Sequence, residues 1–157
     1  MDRPANHLLS MCVAVLLLNP VVWPAAILAD DTVDEKELAN LQGRWEPVSV
    51  TFDGNEVKLD NGRDFRFDLK GRVATVQFGG KVAGTTEIVH LAAGQPFGQI
   101  DFARDYAGEK SRVKMIYKIE GDTITTCASL PNGDRPRELA SKPGSKTRLT
   151  VSKIARE

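Results

Sequence analysis

Cys127 and His90 are the one Cys–His pair available downstream of residue 29. A thiol beside an imidazole can act as a nucleophile. Their settings argue for plainer roles. Cys127 lies in an alternating stretch in which Ile124, Thr126 and Ala128 share one face and the cysteine takes the other. That pattern predicts a small structural residue. His90 follows Val89 at the end of a strand-like run, where a solvated side chain is expected. Ser129 and Ser141 do not sit in a Gly-x-Ser-x-Gly elbow. Asp68, Glu87 and Asp101 could pair as the two carboxylates of a glycosidase, but alternation puts each on a wet β face. Asp60, Asn61 and Asp64 are spaced for a turn and lack the ligand order of a calcium loop. One histidine and one cysteine cannot furnish a transition-metal site. The chain therefore reads as a non-enzymatic protein with no cofactor, no metal and no catalytic residue. Its densest basic run, Arg135, Arg137, Lys142, Lys146 and Arg148, could hold a phosphate or an acidic polysaccharide. Asp134 and Glu138 interrupt it, so a solvated hairpin with local ion pairs is expected.

The whole composition narrows the classes further. The 157 residues carry 21 Lys+Arg against 21 Asp+Glu, which argues against a general nucleic-acid binder or a polybasic membrane-surface protein. Two cysteines exclude a disulfide-rich scaffold. An apolar fraction of 41% suits one globular domain and is too high for a disordered chain.

Residues 1–29 read as an export signal. Arg3 supplies the positive start, residues 8–18 (LLSMCVAVLLL) form a charge-free apolar run, and Asn19, Pro20 and Pro24 break it. The run is shorter than the roughly 20 residues that span a bilayer. Cleavage after Ala29 leaves residues 30–157 as a single domain, periplasmic or secreted and without a membrane span. The alternative is an uncleaved anchor, since apolar character continues through Val21, Val22, Trp23 and Ile27. Cys12 follows Met11 rather than a small residue and reads as part of the apolar run.

The elements that must position any site come next. Residues 34–43 (DEKELANLQG) predict one short helix, with Asp34 as cap, Glu37 at the capping-box distance and Gly43 as the stop. Leu38 and Leu41 share a face, and two turns of helix need a surface to dock on. Beyond Gly43 the apolar period becomes 2. Val48, Val50 and Phe52 alternate in the first run; Phe65, Phe67 and Leu69 in the next; then Ala74, Val76 and Phe78. Val113, Met115, Tyr117 and Ile119 alternate with basic residues, and Ile116 is an apolar exception on the second face. Tight-turn pairs such as Gly79-Gly80 separate the runs. About eight to ten short strands joined this way form an antiparallel sheet. In one small domain that sheet closes into a barrel or splits into a sandwich, and closure, which removes unpaired edges, favours the barrel.

Two resemblances follow from particular phrases. Gly43-Arg44-Trp45, opening the first strand after a short helix, resembles the Gly-x-Trp signature of lipocalins. The runs LQGRWEPVSVTFDGNEV (41–57), YKIEGDTITTC (117–127) and RPRELASKPGS (135–145) are similar to the small lipocalin-like domain that planctomycete bacteria carry in many secreted paralogues. Leu139 stands where that family often has Phe, and 95–110 is less typical of it. The resemblance implies an all-β, lipocalin-like up-and-down barrel of about eight strands behind one short helix, and export. It implies no particular chemistry.

It also implies structural roles for Gly43 and Trp45, with an arginine of the last strand stacked on the indole. Arg148 is the candidate by position, and Arg135 and Arg137 are rivals. Pro47 cannot donate to a ladder, so a bulge is expected there, one that would turn Trp45 and Val48 both inward. Barrels of this size hold a small ligand or are filled by side chains. Phe52, Phe67, Phe78, Met115 and Tyr117, with Val50 and Val76, are the interior candidates for a small, partly apolar ligand. The alternative is a filled barrel serving as a cell-envelope interaction module. Oligomeric state is not specified by any of these features.

Overall fold

The computed structural model describes residues 32–59, 65–106 and 108–155. The expected export signal and the expected Asp60–Asn61–Asp64 turn lie outside the described residues. One short helix, α1 (Glu35–Leu41), precedes nine strands: β1 (Gly43–Phe52), β2 (Asn55–Val57), β3 (Phe65–Lys70), β4 (Val73–Phe78), β5 (Lys81–Ala92), β6 (Gly98–Tyr106), β7 (Glu109–Glu120), β8 (Thr123–Ala128) and β9 (Arg148–Ile154). Each strand from β3 onward pairs antiparallel with the next, and β9 returns to pair with β1. The result is a closed eight-strand antiparallel barrel, with β2 a short hairpin arm on the second half of β1. Two-residue turns join β3 to β4, β4 to β5 and β7 to β8.

Asp34 caps α1, its Oδ1 accepting from the Lys36 and Glu37 amides at 3.0 Å each. The expected capping box is not made. The Asp34 amide donates instead to the Leu91 carbonyl at 2.9 Å, and Glu37 reaches into the barrel. The helix ends at Gln42 in extended backbone, so Gly43 is not its stop but the first residue of β1. Its φ of +119° is open to glycine and strained for other residues, which makes it the hinge between helix and strand.

The helix closes one end of the barrel. Leu38 and Leu41 join Trp45, Leu69, Ala74, Ile88, Leu91, Ile100, Tyr117 and Ile124 in one buried core. Trp45 Nε1 donates to the Leu41 carbonyl at 2.9 Å, which satisfies an indole that is only 2% exposed. Gln42 stitches the helix end to the β3–β4 turn, donating to Gly71 O at 3.1 Å and accepting from Gly71 N at 2.7 Å.

The bulge expected at Pro47 is present, with a register shift between Pro47 and Ser49. Its consequence differs from the expectation. The bulge expels Val48, which is 54% exposed, and returns Val50 to the inside. The extra residue of a bulge is the one left unpaired, so it leaves the ladder and the core together.

The 129–147 connection between β8 and β9 does not swing free. It lies along the outer wall over β6, β7 and β8. Asn132 N donates to Arg112 O at 2.7 Å, Ser129 N to Lys114 O at 3.0 Å, and the Cys127 thiol to Ala140 O at 3.3 Å. At its far end Ser145 N donates to Lys142 O at 3.0 Å, closing the expected Lys142-Pro143-Gly144-Ser145 turn.

Candidate functional site

Strand register decides which side chains enter the lumen. Trp45 pairs with Phe67 and Ile154, Phe67 with Val76, Ile100 with Met115, and Phe102 with Val113. Alternation then turns Val50, Phe52, Phe65, Phe67, Val76, Phe78, Phe102, Val113, Met115 and Tyr117 inward. These include all five residues expected to line the interior, and they do not share one environment.

Tyr117 belongs to the floor. It is buried, and its hydroxyl donates to Glu37 Oε1 at 2.6 Å. Burial, reinforced by the Glu37 carboxylate, pushes its pKa well above the ordinary tyrosine value. The ring lies on the backbone of its cross-strand partner Gly98, where an added Cβ would collide with the ring carbon Cζ. Only glycine leaves room for the ring.

The other four stand above this floor. Phe67 and Met115 are half-buried, as are Val76, Phe102 and Val113. Phe52 and Phe78 are at the rim, Phe78 being 62% exposed and set edge-to-face against Phe65 with ring centroids 6.3 Å apart. An inward-facing side chain keeps solvent contact only where water enters the barrel. The half away from α1 is therefore wetter than the floor, although Phe67, Phe102 and Met115 in it pack against the buried core.

Arg148 does not stack on Trp45. It pairs with Phe52, while Trp45 pairs with Ile154 at the other end of β9. Six residues of strand separate the two positions by about 20 Å. Inward parity still holds, so Arg148 faces the open lumen. Its side chain is exposed there, at the rim beside Phe52. Arg135, the rival, is on the opposite side of the wall. Its Nη1 lies 2.6 Å from Asp101 Oδ1 and donates to Met115 O at 2.7 Å.

Asp101 corrects a second expectation. It occupies the outer face as predicted, yet it is 1% exposed, because the 129–147 arm covers it. Its Oδ2 accepts from Arg112 Nε at 2.8 Å, and Oδ1 is held by the charge of Arg135 without an aligned hydrogen bond. Ile116 and Cys127, cross-strand partners on the same outer face, are buried beside it. Burial pushes the Cys127 thiol up, away from the reactive thiolate.

His90 sits within β5 rather than at a solvated end, half-buried and opposite Asp101. β6 and β7 stand between it and Cys127 on β8, which separates them by about 14 Å at ordinary strand spacing. That is beyond the reach of a nucleophile and its base. Asp68 is engaged on the outer wall by Arg44 Nε at 2.8 Å and Gln77 Nε2 at 2.9 Å, and Glu87 is exposed opposite Ala103. The carboxylates do not converge.

Sequence reasoning missed one feature. Between the 95–99 segment and the arm runs a groove of about 860 Å³, lined by Gln95, Phe97, Gln99, Ile116, Arg135 and Arg137 among others. Ile116, apolar on a polar face, was its signal. Among the described residues no group of three His, Cys, Asp or Glu converges as metal ligands, and no helix is long and apolar enough to cross a membrane. No protein-family model matches the chain, and neither do any of the curated proteins or the solved structures.

Proposed function

We propose that the chain is an exported, non-catalytic binding protein that takes a small, partly apolar molecule into the open half of its barrel. The observation that carries this reading is the solvent contact retained by inward-facing Phe67, Val76, Phe102 and Met115. Side chains of this kind lining a concavity are the common material of small-molecule sites. The planctomycete lipocalin-like resemblance of 41–57, 117–127 and 135–145, and the leader-like run within 1–29, support a periplasmic or secreted setting for this reading. Native mass spectrometry of the full chain, purified from its own envelope fraction, tests the reading. A co-purified small molecule is expected, together with saturable binding of the neutral apolar fluorophore N-phenyl-1-naphthylamine. An apo mass alone and no fluorophore binding would overturn it.

The outer-wall groove favours a second reading, an envelope module that docks a macromolecular partner through Phe97 and Arg137. A specific partner captured from envelope extract, lost on Arg137→Glu and retained when the lumen is blocked by Met115→Trp, distinguishes it from the first.

A further inference from the structure

We infer that the outer-wall groove binds a neutral glycan chain, its sugar rings laid over Phe97 and its hydroxyls bonded to Gln95, Gln99, Asp134 and Arg137. This rests on the second reading, the groove as a docking surface, and adds the chemical class of what docks there.

The polar side chains around the groove are uncommitted, unlike many others on the outer wall. Arg44, Asp68, Gln77 and Arg66 bond to one another in a chain, and Asp101 holds Arg112 and Arg135. Gln95 and Gln99 on one bank, and Asp134 and Arg137 on the other, make no side-chain hydrogen bond or ion pair among the described residues. Phe97 and Pro136, both half-buried, supply apolar surface. Ile116, the cross-strand partner of Gln99, lies buried beneath. Both banks are held in place. Arg135 Nη1 is tied to Met115 O and Asp101, Asn132 N to Arg112 O, and Gln99 stands within β6. A concavity with apolar surface and a few positioned polar groups is the usual composition of a ligand site.

The charges select against an anion. Asp134, Arg135, Arg137 and Glu138 mix both signs along the arm, so this bank carries acceptors as well as donors and no field of one sign. The Asp134 carboxylate repels a phosphate or a uronate and accepts from a hydroxyl. A peptide strand fits less well. β6 and β7 beneath the groove are paired on both edges, so no strand edge is open there for an extended peptide to join. Contact then runs through amide, carboxylate and guanidinium side chains, which together both donate and accept. A sugar hydroxyl also does both. An equatorially linked glycan is a flat ribbon, with C–H groups on its faces and hydroxyls along both edges. Its faces suit the Phe97 ring, whose electron-rich surface attracts partly positive C–H groups, and its edges suit the two banks.

Isothermal titration calorimetry of the full chain with cellohexaose, and with its C6-oxidised uronate counterpart, tests this. Cellohexaose should bind saturably with a Kd of about 1 mM or tighter, as suits an open groove with one aromatic contact. It should bind at least about 10-fold more tightly than the uronate, which meets Asp134 as a like charge. Phe97→Ala should weaken cellohexaose binding about 10-fold. Gln99→Ala should weaken it about 3- to 10-fold, the range of one neutral hydrogen bond. Gln99 is exposed, so its variant decides alone should Phe97→Ala not fold. Equal or tighter binding of the uronate, or cellohexaose binding unchanged in Gln99→Ala, overturns a neutral glycan in this groove. Cellohexaose failing to bind while a protein partner is captured from envelope extract, and lost on Arg137→Glu, overturns the glycan and leaves the docking surface. Failure of both overturns the groove as a docking surface.

Discussion

Two faces of the same sheet have exchanged their usual characters. The inner face of the open half, where a core would be looked for, keeps Phe67, Val76 and Met115 in contact with water. The outer face beneath the 129–147 arm, where solvent would be looked for, buries Ile116, Cys127 and Asp101. Alternation assigns a residue to a side of the sheet; what covers that side decides whether it is dry. The arm covers the outer wall and α1 covers the floor. Among the described residues nothing comparable covers Phe52, Phe65 and Phe78 at the rim.

The contrast should appear most strongly in stability. Ile116→Ala removes a buried side chain from a site roofed by the arm and should cost about 3 kcal/mol. Phe78→Ala, a larger truncation on the inner face, should cost less than about 1 kcal/mol, because its ring is already in water. Urea denaturation of both variants measures the pair. Equal losses would mean that the open half is packed after all, and the exchange of characters would fail.

Asp101→Asn sharpens the same contrast through charge. The substitution keeps the shape and removes the negative charge that faces Arg112 and Arg135 at a covered position. Both guanidinium groups retain some solvent contact, so the loss should be about 2 kcal/mol rather than the full penalty of a buried broken pair. Because Arg135 ties the arm to the wall, amide exchange in 129–147 should quicken with it. A stability loss that leaves the arm's exchange unchanged would mean that the ion pair does not hold the arm.

Much of the barrel was legible because local signals decide it. Turn pairs such as Gly79-Gly80 and the period-2 runs around Phe67, Val76 and Met115 set strand, side and neighbour together. The misreadings share a cause in long-range geometry. Arg148 has the right parity for the lumen, but which end of β9 meets Trp45 depends on a closing register between strands about a hundred residues apart in sequence. Asp101 has the right face, but its cover comes from a connection with no periodicity to read. Ile116 carried the available hint, since an apolar residue on an otherwise polar face marks a place where something lies on top. Val48 shows the limit of reading a bulge: Pro47 signals that one exists, and the register alone says which residue it ejects.

The floor offers the smallest and most specific test. At neutral pH, Tyr117→Phe removes only the hydroxyl donated to Glu37 and should cost about 1 kcal/mol. Its effect changes with alkali. The unfolded phenol titrates near its ordinary value of about 10, whereas the buried one beside a carboxylate titrates higher. Below that value both states hold the proton and the pH has no leverage through this group. Above it the unfolded chain releases the proton and the folded chain retains it, so stability falls as pH rises, at a limiting slope of about 1.4 kcal/mol per unit. Cys127, also raised by burial, adds a fall of the same sign in both proteins. The difference between unaltered protein and Tyr117→Phe therefore isolates the floor: the phenylalanine variant should lose less between pH 9 and 11, and the two stability curves should converge. Parallel curves would mean that water reaches the Tyr117 hydroxyl, and that the wet half of the lumen extends down to the helix.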